Sequence, residues 1–175
     1  MTQWKVSLVG HSQLPTSLTV NNALVRTYRR PGGRADEFFE DELLSDVLNW
    51  EHDLCILWLG SNDIDNETRP RDIAENIIEV VESIEENCNA VVWICLVEPR
   101  FYADGFMTEE DYRKVQRKIN KILKEEGNQV IHFNSSSWVD YLDSDGVHWN
   151  AEGRQRVKSK LKKAIKNFME DSDSE

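Results

Sequence analysis

Short apolar runs alternate with amphipathic segments along the 175 residues of the chain. Five of the runs are rich in β-branched and aromatic residues, and their length is typical of strands that are buried on both faces of a sheet. The predicted strands are residues 4–9, 23–28, 54–59, 90–97 and 130–133. Four other segments carry apolar residues at helical intervals, which predicts amphipathic helices. Their apolar stripes span residues 39–48, 73–84, 112–123 and 157–168.

Two of the predicted helices also carry starting signals. Thr108 with Asp111 resembles a capping box, and Asn150 is a candidate N-cap for the last helix. Because strands and helices alternate throughout, we expect an α/β fold with right-handed crossovers. The predicted architecture is a three-layer α/β/α sandwich around a five-stranded parallel sheet, with the flavodoxin-like strand order 2-1-3-4-5.

No internal repeat or linker divides the sequence, so residues 1–169 are predicted to form one domain. The remaining residues, 170–175, are acidic and contain serine, and we expect them to be a disordered tail. No apolar run is long enough to span a membrane, and none has the pattern of a secretory signal.

The net charge of −11 argues against nonspecific binding to nucleic acid or to an anionic membrane. Residues 113–124 and 154–166 are locally basic, a pattern typical of helices that face solvent. The three cysteines are an odd number without the spacing of a zinc site, and two of them lie in apolar runs. We therefore expect reduced thiols and a cytoplasmic location. Nothing in the sequence indicates an oligomeric state.

Polar loops follow the predicted strands where a ligand site is expected. In a doubly wound sheet, ligands bind beyond the carboxyl ends of the strands, where the winding direction reverses. For the order 2-1-3-4-5 that point lies between strands 1 and 3. The loops that meet there are Gly-His-Ser-Gln at 10–13, Pro-Gly-Gly-Arg at 31–34, Gly-Ser-Asn-Asp at 60–63 and Asp-Gly-Val-His-Trp-Asn at 145–150.

These loops contain the groups that acyl transfer requires. A serine hydroxyl becomes a good nucleophile when a base removes its proton, and imidazole is suited to this near neutral pH. A carboxylate holds the imidazole in the correct tautomer, and preorganised N–H donors stabilise the oxyanion of the tetrahedral intermediate. The four loops together therefore favour a hydrolase site.

At these residues the sequence resembles the SGNH (GDSL-like) hydrolase family, whose Ser, Gly, Asn and His blocks occur here in the expected order. A weaker resemblance is to esterase domains encoded by retroelements. The resemblance implies a serine esterase acting on a small-molecule acyl ester, with no metal or organic cofactor. It assigns Ser12 as nucleophile, His148 as base and Asp145 as the orienting carboxylate. It also implies three oxyanion donors, the Ser12 N–H, the Gly32 N–H and the Asn62 amide.

Three positions leave alternatives open. Gly33 adjoins Gly32 and could supply the oxyanion donor instead, although the distance to Phe38 favours Gly32. Asp143 competes with Asp145 for the orienting role. His11 stands where the family usually has Asp, and we expect its side chain to turn away from the nucleophile and brace the loop.

The sequence also leaves alternatives for function. Because no large insertion could act as a lid, an open site suited to short acyl groups such as acetyl is predicted. His11 favours a second possibility, a catalytically weak or inactive module that binds an acylated ligand or a protein partner. A third is an assembly domain that docks through its acidic tail and basic helices.

Overall fold

The computed structural model describes residues 3–174, which form a five-stranded parallel sheet of order 2-1-3-4-5, as predicted. All four neighbouring strand pairs are parallel. The strands are β1 (Trp4–Gly10), β2 (Ala23–Arg29), β3 (Leu54–Trp58), β4 (Val91–Cys95) and β5 (Val130–Ile131). The helices are α1 (Glu42–Leu48), α2 (Pro70–Cys88), α3 (Glu109–Glu125) and α4 (Ala151–Asp173).

Side chains that alternate along the strands form two apolar cores, one on each face of the sheet. Val9 and Leu57 point into the core covered by α1, α2 and α3. Leu8, Ile56 and Trp58 point into the opposite core, which α4 covers together with the segment after β1 and the segments around β5. The central strand β3 is fully buried, so the loops at its carboxyl end start from a rigid base.

The predicted helix starts are confirmed. The Thr108 side chain accepts a hydrogen bond from the Asp111 amide at 3.1 Å, and Asn150 accepts one from the Gly153 amide at 2.8 Å. Each cap satisfies an N–H that has no partner within its own helix. The Asn150 cap lies two residues after His148 and fixes the start of α4 at Ala151.

Two strand predictions were wrong in detail. β2 is not buried on both faces, and Leu24 is 38% exposed. The reason is its position at the edge of the sheet, where it pairs with β1 alone. β5 contains only two residues and ends at Ile131, although Phe133 beyond it is still buried among the rings of the α4 core.

The prediction of a disordered tail from residue 170 was also wrong where the structure describes it, because α4 continues to Asp173. Phe168 and Met169 are buried against the sheet and anchor the last turns. The hydroxyl of Ser172 donates to the Phe168 carbonyl at 2.8 Å. Residue 175 lies outside the described residues.

The three cysteines are free and buried. Burial raises the pKa of the Cys55 thiol to about 12, so this thiol stays protonated and unreactive. Between residues 3 and 174, no helix has both the length and the apolar character needed to cross a membrane.

Candidate active site

Glycines at the ends of β1 and β3 allow the chain to pass very close to neighbouring residues as it leaves the sheet. Gly10 has a φ of +151°, and a Cβ there would lie 2.0 Å from the Trp58 carbonyl oxygen. Gly60 has a φ of +123°, and a Cβ there would lie 2.9 Å from a methyl group of Val97. Only glycine fits both conditions. The loops that carry Ser12 and Asn62 therefore start side by side.

Ser12 and His148 line the same cavity, which has a volume of about 340 Å³. The Ser12 carbonyl accepts a hydrogen bond from Arg29 Nη2 at 3.1 Å, which fixes the backbone of the loop. Among residues 3–174, the Ser12 hydroxyl makes no hydrogen bond, to His148 or to any other group. The two predicted residues therefore share one cavity without a direct contact.

Gln13 and Trp149 join the two loops that carry Ser12 and His148. The Trp149 indole N–H donates to the Gln13 carbonyl at 3.2 Å, and the Gln13 side-chain amide donates to the Val147 carbonyl. The role of Gln13 was not predicted from the sequence. Its place next to Ser12 was the only available signal, because the partner loop is 134 residues away in the chain.

Asp145 contacts the His148 ring, with 2.6 Å between Oδ2 and Nδ1. Its Oδ1 accepts hydrogen bonds from the amides of Val147 and His148, at 2.8 and 3.0 Å. Although burial alone would raise the pKa of Asp145, these hydrogen bonds lower it to about 2. An ionised carboxylate at Nδ1 requires a proton there, so a neutral His148 has Nε2 free to accept one.

Asp143, the competing carboxylate, accepts a hydrogen bond from the neighbouring Ser144 amide at 3.3 Å. Within the described part of the chain it makes no side-chain contact with His148. The geometry therefore favours Asp145 for the orienting role.

The tight turn at residues 30–33 separates the two candidate glycine donors. The Gly33 N–H closes this turn by donating to the Arg30 carbonyl at 2.9 Å, whereas Gly32 sits at its exposed corner with a φ of +73°. No acceptor for the Gly32 N–H is found among residues 3–174. Gly32 is therefore the glycine whose N–H is available to a ligand.

Asn62 has one side-chain N–H directed to the Gly33 carbonyl at 3.0 Å, which leaves the other N–H of this amide available. Arg100 Nη1 donates to Asn62 Oδ1 at 3.1 Å and so fixes which end of the amide faces Gly33. The Asn62 amide and the Gly32 turn are thus held next to each other.

Asp63, the last residue of the Gly-Ser-Asn-Asp block, ties the loop after β2 to the loop after β3. Its carboxylate accepts hydrogen bonds from the amides of Ala35 and Asp36, at 3.0 and 3.3 Å. Burial raises the pKa of Asp63 to about 6. The sequence alone assigns Asp63 no role, although its place beside Asn62 is a signal.

His11 is fully buried and turned away from the cavity, and it braces the loop as predicted. Its Nδ1 accepts the Gln13 N–H at 3.1 Å, which requires an unprotonated Nδ1. Its Nε2 lies 3.1 Å from Ser61 Oγ and 3.6 Å from Glu98 Oε1. We infer that His11 is the neutral Nε2–H tautomer.

A buried ion pair beneath the site was not foreseen. Glu98 and Arg100 have side chains that are 0% and 3% exposed, and Arg100 Nε lies 3.3 Å from Glu98 Oε2. Burial alone would raise the pKa of Glu98, but the charge of the Arg100 guanidinium and the hydrogen bond from His11 hold it below its ordinary value. The signal was two charged residues directly after an apolar strand, which is rare unless they are paired.

No group of three His, Cys, Asp or Glu side chains between residues 3 and 174 is arranged to hold a metal ion. The polar groups at the carboxyl edge of the sheet are a serine, a histidine–aspartate pair and unpaired N–H donors. That combination is typical of serine hydrolases.

Comparison with known proteins identifies the family. The sequence profile of the GDSL-like lipase/acylhydrolase family matches residues 9–156, so the chain belongs to this family. A search of curated protein sequences finds no match.

Solved structures of this fold superpose over nearly the whole chain. A lipase/acylhydrolase from Enterococcus faecalis has a TM-score of 0.73 at 15% identity, covering 94% of this chain and 96% of its own. The esterase EstA from Pseudoalteromonas sp. has a TM-score of 0.70 at 11% identity, covering 95% and 98%. The acetyl xylan esterase AlAXEase has a TM-score of 0.69 at 16% identity, covering 92% and 99%. At such identities, the similarity establishes the fold.

Proposed function

We propose that the chain is a serine esterase that hydrolyses short-chain acyl esters, such as acetyl esters, through an acyl-enzyme intermediate. The observation that carries this proposal is the Asp145–His148 pair at 2.6 Å, whose histidine lines the same cavity as Ser12. Ser12 is the proposed nucleophile, His148 the base and Asp145 the group that orients the imidazole.

In the first step, His148 Nε2 takes the proton of the Ser12 hydroxyl as Oγ attacks the acyl carbonyl carbon. The carbonyl oxygen becomes an oxyanion, stabilised by the N–H groups of Ser12, Gly32 and Asn62. The intermediate collapses when the bond to the alcohol oxygen breaks and His148 returns its proton to that oxygen. His148 then takes a proton from water as the water oxygen attacks the acyl carbon. The bond from that carbon to Ser12 Oγ breaks, His148 returns the proton to Oγ, and the carboxylic acid is released.

Before the first proton transfer, the imidazole and the Ser12 hydroxyl must come within hydrogen-bond distance. His148 is 60% exposed, so its ring has room to move toward Ser12. Catalytic hydrogen bonds are often long in unliganded enzymes and shorten when substrate binds.

A preference for short acyl groups is supported by the comparison with solved structures. The fold is shared with an acetyl xylan esterase, which is consistent with an acetyl substrate.

The test compares hydrolysis of 4-nitrophenyl acetate and of longer acyl esters by wild type, Ser12→Ala and Ser136→Ala. Ser136 is an exposed serine outside this cavity and serves as the matched control. We expect Ser12→Ala to lose at least about a thousandfold in kcat, with Ser136→Ala unchanged. Equal rates of hydrolysis by Ser12→Ala and wild type would exclude the proposed esterase with Ser12 as its nucleophile.

The second candidate is a binding module on the same fold with weak or no turnover. It is favoured by the lack of a Ser12–His148 hydrogen bond among the described residues and by His11 at the position of the usual Asp. This alternative predicts background rates for all three proteins. It also predicts that a non-hydrolysable acetamide analogue still binds.

A further inference from the structure

Among residues 3–174, the cavity beside Ser12 and His148 is lined by three cationic side chains, Arg29, Arg154 and Lys158, and by no Asp or Glu. This is opposite in sign to the whole chain, whose net charge is −11. Arg154 and Lys158 lie one turn apart on α4, and Arg29 is the last residue of β2. Two separate elements therefore direct positive charge into one cavity.

Carboxylates do not neutralise these three cations. Arg29 Nε donates to the Leu14 carbonyl at 3.0 Å, and Arg154 Nη1 donates to the Trp149 carbonyl at 2.9 Å. Carbonyl oxygens orient a guanidinium without cancelling its charge. Among the ion pairs formed by residues 3–174, none includes Arg29, Arg154 or Lys158.

The lining residues indicate which part of an ester would occupy this cavity. His148 lines it, whereas Gly32 and Asn62 do not. In acyl transfer, the oxyanion lies against its N–H donors, while the leaving oxygen lies near the base that protonates it. The cavity is therefore on the side of the leaving alcohol.

We propose that this cavity selects esters whose alcohol carries an anionic group, either a carboxylate or a phosphate monoester. The proposal rests on the proposed esterase function and adds the class of alcohol. Lys158 and Arg154 bind the anion from α4. Arg29 contributes a third positive charge from the end of β2, while its hydrogen bonds to backbone carbonyls hold the Ser12 loop. Asp145, the carboxylate of the site, is hydrogen-bonded to His148 and to backbone amides.

The first experiment compares three acetyl esters, namely 4-acetoxybenzoate, its neutral methyl ester and 4-acetoxyphenyl phosphate. Each kcat/KM is divided by the rate of hydroxide-catalysed hydrolysis of the same ester, which corrects for differences between the leaving groups. We expect the anionic esters to be favoured by about tenfold at low ionic strength, with the preference falling as salt is added. A net charge of −11 alone would give the reverse preference. The two anionic esters distinguish a carboxylate site from a phosphate site.

The second experiment changes one cation. Lys158→Gln should raise KM for the preferred anionic ester about threefold to tenfold, and should lower the ratio of kcat/KM for that ester to kcat/KM for the methyl ester by a similar factor. The matched control is Lys166→Gln, which removes the same charge from an exposed position on α4 outside the cavity. This control should keep the full preference. If both variants raise KM for the anionic ester equally, the preference comes only from the overall charge of the protein, and the proposed anion-binding site is wrong.

The outcomes separate this inference from the proposed function. Ser12-dependent hydrolysis of the methyl ester without any preference for an anion would overturn the anionic site and leave the esterase intact. If no ester is hydrolysed, the esterase fails, and the site is tested by titrating 4-hydroxybenzoate and its methyl ester while observing the Trp149 indole N–H by NMR. Binding of the anion that weakens in Lys158→Gln would support the site. Absence of binding would overturn it.

Discussion

Replacing Asp145 with Asn should be more harmful than its nearly identical shape suggests. Asp145 Oδ1 accepts two backbone N–H groups, and Oδ2 contacts His148 Nδ1. An Asn side chain can satisfy the two amides only with its carbonyl oxygen, so its NH₂ must take the place of Oδ2. Two donors would then meet at Nδ1 unless the imidazole moved its proton to Nε2. That tautomer cannot accept the proton of Ser12.

The loss has two parts. A hydrogen bond to a charged group contributes about 2 kcal/mol, and forcing the wrong tautomer costs on the order of another 2 kcal/mol. Together these amount to about a thousandfold in kcat, since each 1.36 kcal/mol is tenfold. The value of about 2 kcal/mol is in the lower part of the range for hydrogen bonds to charged groups. It is chosen because the His148 and Asp145 side chains are 60% and 47% exposed, so solvent screens their interaction.

The assay is steady-state hydrolysis of 4-nitrophenyl acetate by wild type, Asp145→Asn, Asp145→Ala and Asp143→Asn. Asp143→Asn is the matched control, with the same charge change in the same loop. Asp145→Ala should retain more activity than Asp145→Asn, because it imposes no tautomer on His148. Thermal unfolding of each variant checks that the loop is still folded. Activity of Asp145→Asn within threefold of wild type, or an equal loss in Asp143→Asn, would refute the reasoning.

Three further predictions concern the loops around the site. Asn62→Ala should lower kcat about a hundredfold to a thousandfold with little change in KM, measured by steady-state kinetics, and a minor change would remove Asn62 from the oxyanion hole. Gly10→Ala should destabilise the fold by at least about 3 kcal/mol in urea unfolding, because its Cβ would lie 2.0 Å from the Trp58 carbonyl oxygen, and a stable variant would contradict this close approach. His11→Asp should lower the melting temperature, because it places a second carboxylate beside buried Glu98. A large gain in the rate of ester hydrolysis would instead mean that His11 lowers the activity of the native enzyme.

The fold was predictable because periodicity and burial point to the same elements. The run around β3 is apolar at every position, which a strand at the centre of a parallel sheet requires, and β3 is fully buried. β2 has a similar composition but lies at the edge, and edge position depends on long-range pairing that local composition does not encode. The helical end of α4 was missed for a related reason. Its acidic composition indicated disorder, whereas burial of Phe168 and Met169 holds it to the sheet.

The candidate site was predictable where its residues lie in short local blocks. Asp145 and His148 are three residues apart, and their contact follows from one turn of the chain. The cavity cations were not predictable in the same way. Arg29 and Lys158 are separated by most of the sequence and approach each other only when α4 packs across the sheet. Lys158 lies in a basic segment whose pattern indicated an ordinary solvent-facing helix, and Arg29 follows a predicted strand without any motif around it.

His11 stands where the family usually has Asp, and buried polar groups around it accommodate the imidazole. A neutral imidazole supplies an acceptor for the Gln13 N–H at Nδ1 and, at Nε2, a donor facing Ser61 and Glu98. Glu98 is paired in turn with Arg100, and Arg100 holds the amide oxygen of Asn62. The residue next to the proposed nucleophile is therefore connected through Glu98 to the proposed oxyanion donor. Because each buried charge in this series needs its partner, a change at position 11 should be tolerated only together with changes at Glu98 or Arg100.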